Sequence, residues 1–85
     1  MKQFDYTVKE PLGIHARPAG MLAKEAKAFA SACTITRNGT TVKATQLMKL
    51  MGLGVKNGDV VTVTAVGSDE DTAIAALKAF FEANL

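Results

Sequence analysis

Gly13-Ile14-His15-Ala16-Arg17-Pro18-Ala19 is the stretch on which the fold turns. Proline has no N–H to donate and its φ is already helical, so within a helix it is tolerated only in the first turn. The residues after it, Ala19, Leu22, Ala23, Ala26, Phe29 and Ala30, recur at three- and four-residue steps. That spacing is one face of a helix, with Lys24 and Lys27 off it. The helix is therefore predicted to begin at Ala16 or Arg17. Upstream, Phe4, Tyr6 and Val8 alternate with polar residues as a half-buried strand does. Pro11 and Gly13 end that strand and open a loop.

Downstream, Cys33 and Ile35 face one way, and Thr34 and Thr36 the other. Asn38-Gly39 supplies a hairpin turn, because both residues tolerate positive φ. Val42 and Ala44 continue inward on the returning strand. Thr45 is placed to cap a short helix from Gln46 to about Leu53, ended by Gly52 and Gly54. Asn57-Gly58-Asp59 is a turn. Val61, Val63 and Ala65 alternate with Thr62 and Thr64 in a β-branched strand closed by Gly67. Ser68 is expected to cap a last helix with Asp69, Glu70 and Asp71 in its first turn. Its core stripe is Ile74, Leu77 and Phe81, with Ala73, Phe80 and Leu85 alongside. The order β-α-β-β-α-β-α implies an α+β sandwich, an antiparallel sheet covered by helices on one side.

Eighty-five residues make one domain, 1–85, and no repeat, linker or low-complexity segment interrupts them. With 48% hydrophobic and 21% charged residues the chain is an ordinary globular protein, not a disordered one. Its one cysteine, Cys33, excludes an intrachain disulfide, a CxxC redox site and a cysteine-based zinc site. One histidine and one cysteine far apart make a poor metal site. Tyr6 alone is a weak base-stacking candidate, and a net charge of +2 is too small to imply nucleic acid. No apolar run approaches a membrane span, and Met1-Lys2-Gln3-Phe4-Asp5 is not a signal peptide, so the expected location is the cytoplasm.

The only histidine, His15, stands where the loop becomes a helix. Unpaired backbone N–H groups and the positive end of the helix dipole face that position. Arg17 adds a guanidinium. A nucleophilic ring nitrogen beside an anion-binding helix terminus suits the carriage of a phosphoryl group. The positive residues Arg17, Lys24, Lys27 and Lys49 lie near the site in sequence, while Asp69, Glu70 and Asp71 gather late, which fits an acidic partner.

The short helix is unusual, since nearly every position of Leu47-Met48-Lys49-Leu50-Met51-Gly52-Leu53 is apolar. A turn and a half cannot bury all of them against one sheet. Leu50 and Leu53 are expected to face the core. That leaves Leu47, Met48 and Met51 partly exposed as an adaptable docking patch.

The run Gly13 to Ala19 resembles the signature around the phosphorylated histidine of HPr, the histidine-containing phosphocarrier family of the bacterial phosphoenolpyruvate:sugar phosphotransferase system. Leu47 to Gly54 resembles its second motif, and length and element order agree over the whole chain. The resemblance implies an open-faced sandwich of a four-stranded antiparallel sheet with three helices on one face. It implies that His15 accepts a phosphoryl group through Nδ1 from enzyme I and passes it to sugar-specific IIA domains. Arg17 is then the positive partner of the phosphate, held with Ala16 and Pro18 in the phosphate-binding turn. Leu47, Met48 and Met51 match the apolar docking patch, with Lys24, Lys27 and Lys49 as a basic rim. Such a protein is a stoichiometric carrier rather than a stand-alone turnover enzyme, and no cofactor or metal is expected. The alternative is a regulatory, nitrogen-type paralogue whose phosphorylation signals to binding partners. One departure stands out. Gln46 occupies the place where many Gram-positive members carry a regulatory serine, so that serine-type switch is expected to be missing, for want of a hydroxyl.

Overall fold

The computed structural model describes residues 1–85. The elements are β1 (Lys2–Thr7), α1 (Ala16–Ala26), β2 (Ala32–Arg37), β3 (Thr40–Lys43), α2 (Leu47–Gly52), β4 (Val60–Val66) and α3 (Glu70–Asn84). The four strands form one sheet in the order β1-β4-β2-β3, every neighbour antiparallel. The period-2 pattern sets the register. Phe4, Val63, Ile35 and Val42 lie in one row across the sheet, and Gln3, Thr64, Thr34 and Lys43 in the next. The first row turns to the helices and the second to solvent, so a one-residue slip would exchange core for surface. Asn38 and Gly39 both take positive φ, at 48° and 79°, the two-residue turn that matches strand twist.

Phe81 of α3 is fully buried at the centre of the core, with Leu22, Ile35, Leu50, Leu77, Val61 and Val63. The rings of Phe4, Tyr6 and Phe80 meet it edge-on at 5.8, 5.4 and 6.2 Å. These are favoured aromatic geometries, and they bind the end of α3 to the β1 edge of the sheet.

Three local expectations differ from what is seen. First, α1 stops at Ala26, so Phe29 and Ala30 lie beyond it. Phe29 still packs on the core, but Ala30 is exposed and its N–H is taken by Asp69 at 2.9 Å. Second, the cap of α2 is Gln46, not Thr45. Gln46 N–H closes a tight turn onto Lys43 O, and the helical bonds then begin with Leu50 N–H to Gln46 O. Third, α3 is preceded by Asp69, not Ser68, and the Asp69 side chain does not cap the helix. Its carboxylate instead accepts the Ser31 hydroxyl and the N–H groups of Ala30 and Ser31. These bonds hold the Asp69 carboxyl below its usual range, the Ser31 hydroxyl contributing most. Glu70 takes over at the helix start by accepting Gly67 N–H at 3.1 Å.

Candidate functional site

The site is built on the loop from Glu10 to His15. Gly13 N–H closes a turn onto Glu10 O at 2.9 Å, with Pro11 at the turn position its fixed φ prefers. Gly13 has φ +68°, and a Cβ there would fall 2.1 Å from Val55 O. Only glycine lets the loop come this close to the segment between α2 and β4. Ile14 N–H then bonds Val55 O at 3.1 Å, and His15 N–H bonds Gly13 O at 3.1 Å. The Val55 segment is itself anchored. Asp59 accepts Lys56 N–H at 2.9 Å and Arg37 Nε at 2.8 Å, and Arg37 Nη1 reaches Leu53 O at 3.3 Å. The Lys56 N–H bond, then Arg37, lower the Asp59 carboxyl below its usual range.

His15 is the residue preceding α1, with extended backbone and no capping hydrogen bond from its ring. Its carbonyl receives Ala19 N–H at 2.9 Å, the first helical bond. The N–H groups of Ala16 and Arg17 donate to no acceptor in the protein. Pro18 is buried and has no N–H, so its part is to hold the turn in helical geometry. The His15 side chain is 36% exposed. It opens into a cavity of about 280 Å³ lined by Glu10, His15, Arg17, Pro18, Met21, Ala83 and Asn84. Arg17 is exposed and forms no ion pair. A solvent-reaching imidazole and an uncommitted guanidinium thus share one depression, and the next two residues in sequence, Ala16 and Arg17, carry N–H groups without a partner, a donor set suited to an anion.

Glu10 was not among the residues the sequence singled out. Its Oε2 lies 3.6 Å from His15 Nε2 and also accepts Leu12 N–H at 2.5 Å. The turn signal at Pro11 and Gly13 was legible, and a chain that doubles back there returns residue 10 toward residue 15. Met21, Ala83 and Asn84 were missed as well. The last two arrive from the far end of the chain, which no local pattern announces.

Leu50 and Leu53 are buried, while Leu47, Met48 and Met51 are 39%, 75% and 39% exposed, as the crowding of apolar residues on α2 implied. Met21, which lines the cavity, is also exposed, as is Leu12 of the preceding loop. Lys24, Lys27 and Lys49 are all exposed and none is paired. Lys24 lies one turn past Met21, but Lys27 stands at the far end of α1, about 18 Å from His15 along the axis. The acidic start of α3 is about 20 Å from Ala83 by the same rise, and Glu10 is the one acidic residue that lines the cavity. No group of three or more His, Cys, Asp or Glu residues is placed to hold a metal ion. No helix is long and apolar enough to cross a membrane.

The chain is similar to known proteins over nearly its whole length. Residues 2–83 match the family model described as PTS HPr component phosphorylation site. The chain is 42% identical over 85 residues to the phosphocarrier protein HPr of Mycoplasma genitalium, spanning 99% of this chain and 97% of that one. The solved structure of HPr-C-His from Thermoanaerobacter tengcongensis superposes with a TM-score of 0.93 at 37% identity, covering 98% of this chain and 93% of its own. A mycoplasma histidine-containing phosphocarrier protein gives 0.91 at 38%, covering 93% and 90%.

Proposed function

Because this chain belongs to the HPr family of phosphotransferase-system phosphocarriers, we propose that His15 takes a phosphoryl group from phosphorylated enzyme I and hands it to sugar-specific IIA domains. Residues 1–85 act as one carrier domain, and its working place is the bacterial cytoplasm. The observation that carries this reading is the half-open imidazole on the residue preceding α1, followed at once by Ala16 and Arg17, whose N–H groups have no partner.

The chemistry asks little of the carrier. The Nδ1 lone pair attacks phosphorus in line as the donor's bond to phosphorus breaks. The added negative charge then lies against the Ala16 and Arg17 N–H groups, the positive end of α1 and the Arg17 guanidinium. These donors are exposed, so their stabilisation is moderate and the group can leave again. The apolar patch of Leu47, Met48 and Met51 docks the partner, with Lys24, Lys27 and Lys49 meeting its acidic rim.

The test is transfer itself. The chain is mixed with enzyme I and phosphoenolpyruvate, and its mass is followed before and after mild acid. The expected result is one acid-labile phosphoryl group, absent in His15→Ala, and discharged by a sugar-type IIA domain. No uptake, or uptake unchanged in His15→Ala, refutes the assignment. Discharge to nitrogen-type partners alone refutes the sugar branch in favour of a regulatory paralogue.

A further inference from the structure

We propose that Glu10 is a positioning residue for the transfer, its carboxylate keeping a proton on His15 Nε2 so that Nδ1 is the reacting nitrogen throughout. This rests on the carrier reading above and adds a residue to its site.

The geometry supports it from three sides. Glu10 Oε2 faces Nε2 at 3.6 Å, the only carboxylate that reaches the ring. That oxygen does not swing freely, because Leu12 N–H holds it at 2.5 Å. The Glu10 backbone is held too, its N–H on Leu85 O at 2.8 Å and its carbonyl under Gly13 N–H at 2.9 Å. Its side chain is 25% exposed. The charged residues lining the cavity are Glu10 and Arg17, of opposite sign. A phosphoryl group on the nitrogen nearest the carboxylate would meet like charge. On the other nitrogen it is kept across the ring from Glu10.

A carboxylate beside one imidazole nitrogen favours the tautomer with hydrogen there, leaving the lone pair on the other. As the N–P bond forms from the Nδ1 lone pair, the electron pair of the donor's bond to phosphorus leaves with the donor. The ring gains positive charge and keeps its Nε2 proton, which the carboxylate stabilises. In the return step the acceptor's nucleophile forms its bond to phosphorus as the N–P electron pair goes back to Nδ1. The ring then departs as neutral imidazole instead of imidazolate, a far poorer leaving group. No proton has to enter or leave the carrier in either direction.

The experiment compares the full chain with Glu10→Gln, which keeps the shape and an acceptor for Leu12 N–H but removes the charge. Long-range ¹H–¹⁵N spectra of the unphosphorylated, neutral ring read the tautomer directly. The wild type is expected to hold its hydrogen mainly on Nε2, with that preference reduced severalfold in Glu10→Gln. Spontaneous hydrolysis of the phosphorylated form at neutral pH is expected to slow severalfold in the variant, because the positively charged ring loses the opposite charge 3.6 Å from its Nε2. Tautomer ratio and hydrolysis both within twofold of wild type would overturn the proposal. Slower transfer with an unchanged tautomer would also overturn it, by reducing Glu10 to a loop anchor. The two readings fail separately. A chain that never takes phosphate on His15 sinks the carrier assignment, whereas a working carrier with an unchanged tautomer sinks only the role of Glu10.

Discussion

Gly13→Ala tests whether the close approach of two loops places His15. The new Cβ would sit 2.1 Å from Val55 O and 2.6 Å from Lys56 Cα, both backbone atoms that cannot rotate away. Restoring an ordinary 3.4 Å contact to the oxygen means parting the loops by about 1.3 Å. That opens the 3.1 Å bond from Ile14 N–H to Val55 O. Ile14 is buried, so its N–H loses a partner that water does not readily replace, at a cost of about 1–3 kcal/mol. The left-handed backbone at φ +68° adds roughly 1–2 kcal/mol for any residue with a Cβ. The expected total is about 2–5 kcal/mol. Gly39→Ala is the control. Its φ is also left-handed, at +79°, but a Cβ there meets nothing within 4 Å. It therefore carries the backbone cost alone, and both variants share the same unfolded-state gain. Urea unfolding measures the difference, expected at about 1–3 kcal/mol, or a midpoint gap of about 1–3 M for a slope near 1 kcal/mol/M. Phosphorylation of His15 in Gly13→Ala should fall by up to about a hundredfold, since a 1 Å misplacement can cost that much. Equal stabilities within about 0.5 kcal/mol, or an undiminished rate in Gly13→Ala, would refute the reasoning.

The remaining expectations follow from burial and charge. Arg17→Ala should leave stability within about 0.5 kcal/mol, because the side chain is exposed and unpaired; transfer from enzyme I, timed by rapid quench, should slow about 10- to 100-fold for one lost charge-assisted contact. Leu50→Ala should cost about 2–5 kcal/mol in urea unfolding, since Leu50 is fully buried. Met48→Glu, at a side chain 75% exposed, should change stability little and weaken partner binding about tenfold or more in calorimetry. Asp69 has a lowered folded-state pKa, owed first to the Ser31 hydroxyl, so on acidification the unfolded chain takes up its proton before the folded one does. Its stabilisation is present above the ordinary aspartate range near pH 4 and is lost as pH falls below it. Asp69→Asn should therefore be less stable at neutral pH and lose less on acidification; an acid limb as steep as wild type would contradict this.

What could be read from the chain, and what could not, divides by the distance over which each fact is decided. Pro18, the spacing from Ala19 to Ala26 and the Asn38-Gly39 pair act within a few residues, so the elements and the position of His15 were legible. The exposure of Met48 was legible too, because six residues cannot hide every apolar side chain of α2. The caps were misplaced because a cap is a competition. The Asp69 carboxylate had a helix start beside it, but the Ser31 hydroxyl and two N–H groups, 38 and 39 residues away in sequence, together offered more than one capping bond. The same logic hid half of the site. The proposed nucleophile and the free N–H groups are contiguous from His15 to Arg17, so local chemistry announces them. The groups around His15 are not: Val55 holds Ile14 from the α2–β4 segment, and Asn84 lines the cavity from the end of α3. Glu10 lies between these cases. It is five residues from His15, yet its role depends on a turn whose outcome is set by Gly13 pressing against Val55. Substituting Gly13 should thus disturb the pairing of Glu10 with His15 as well as the helix start, which ties the two halves of the site to one close contact between backbones.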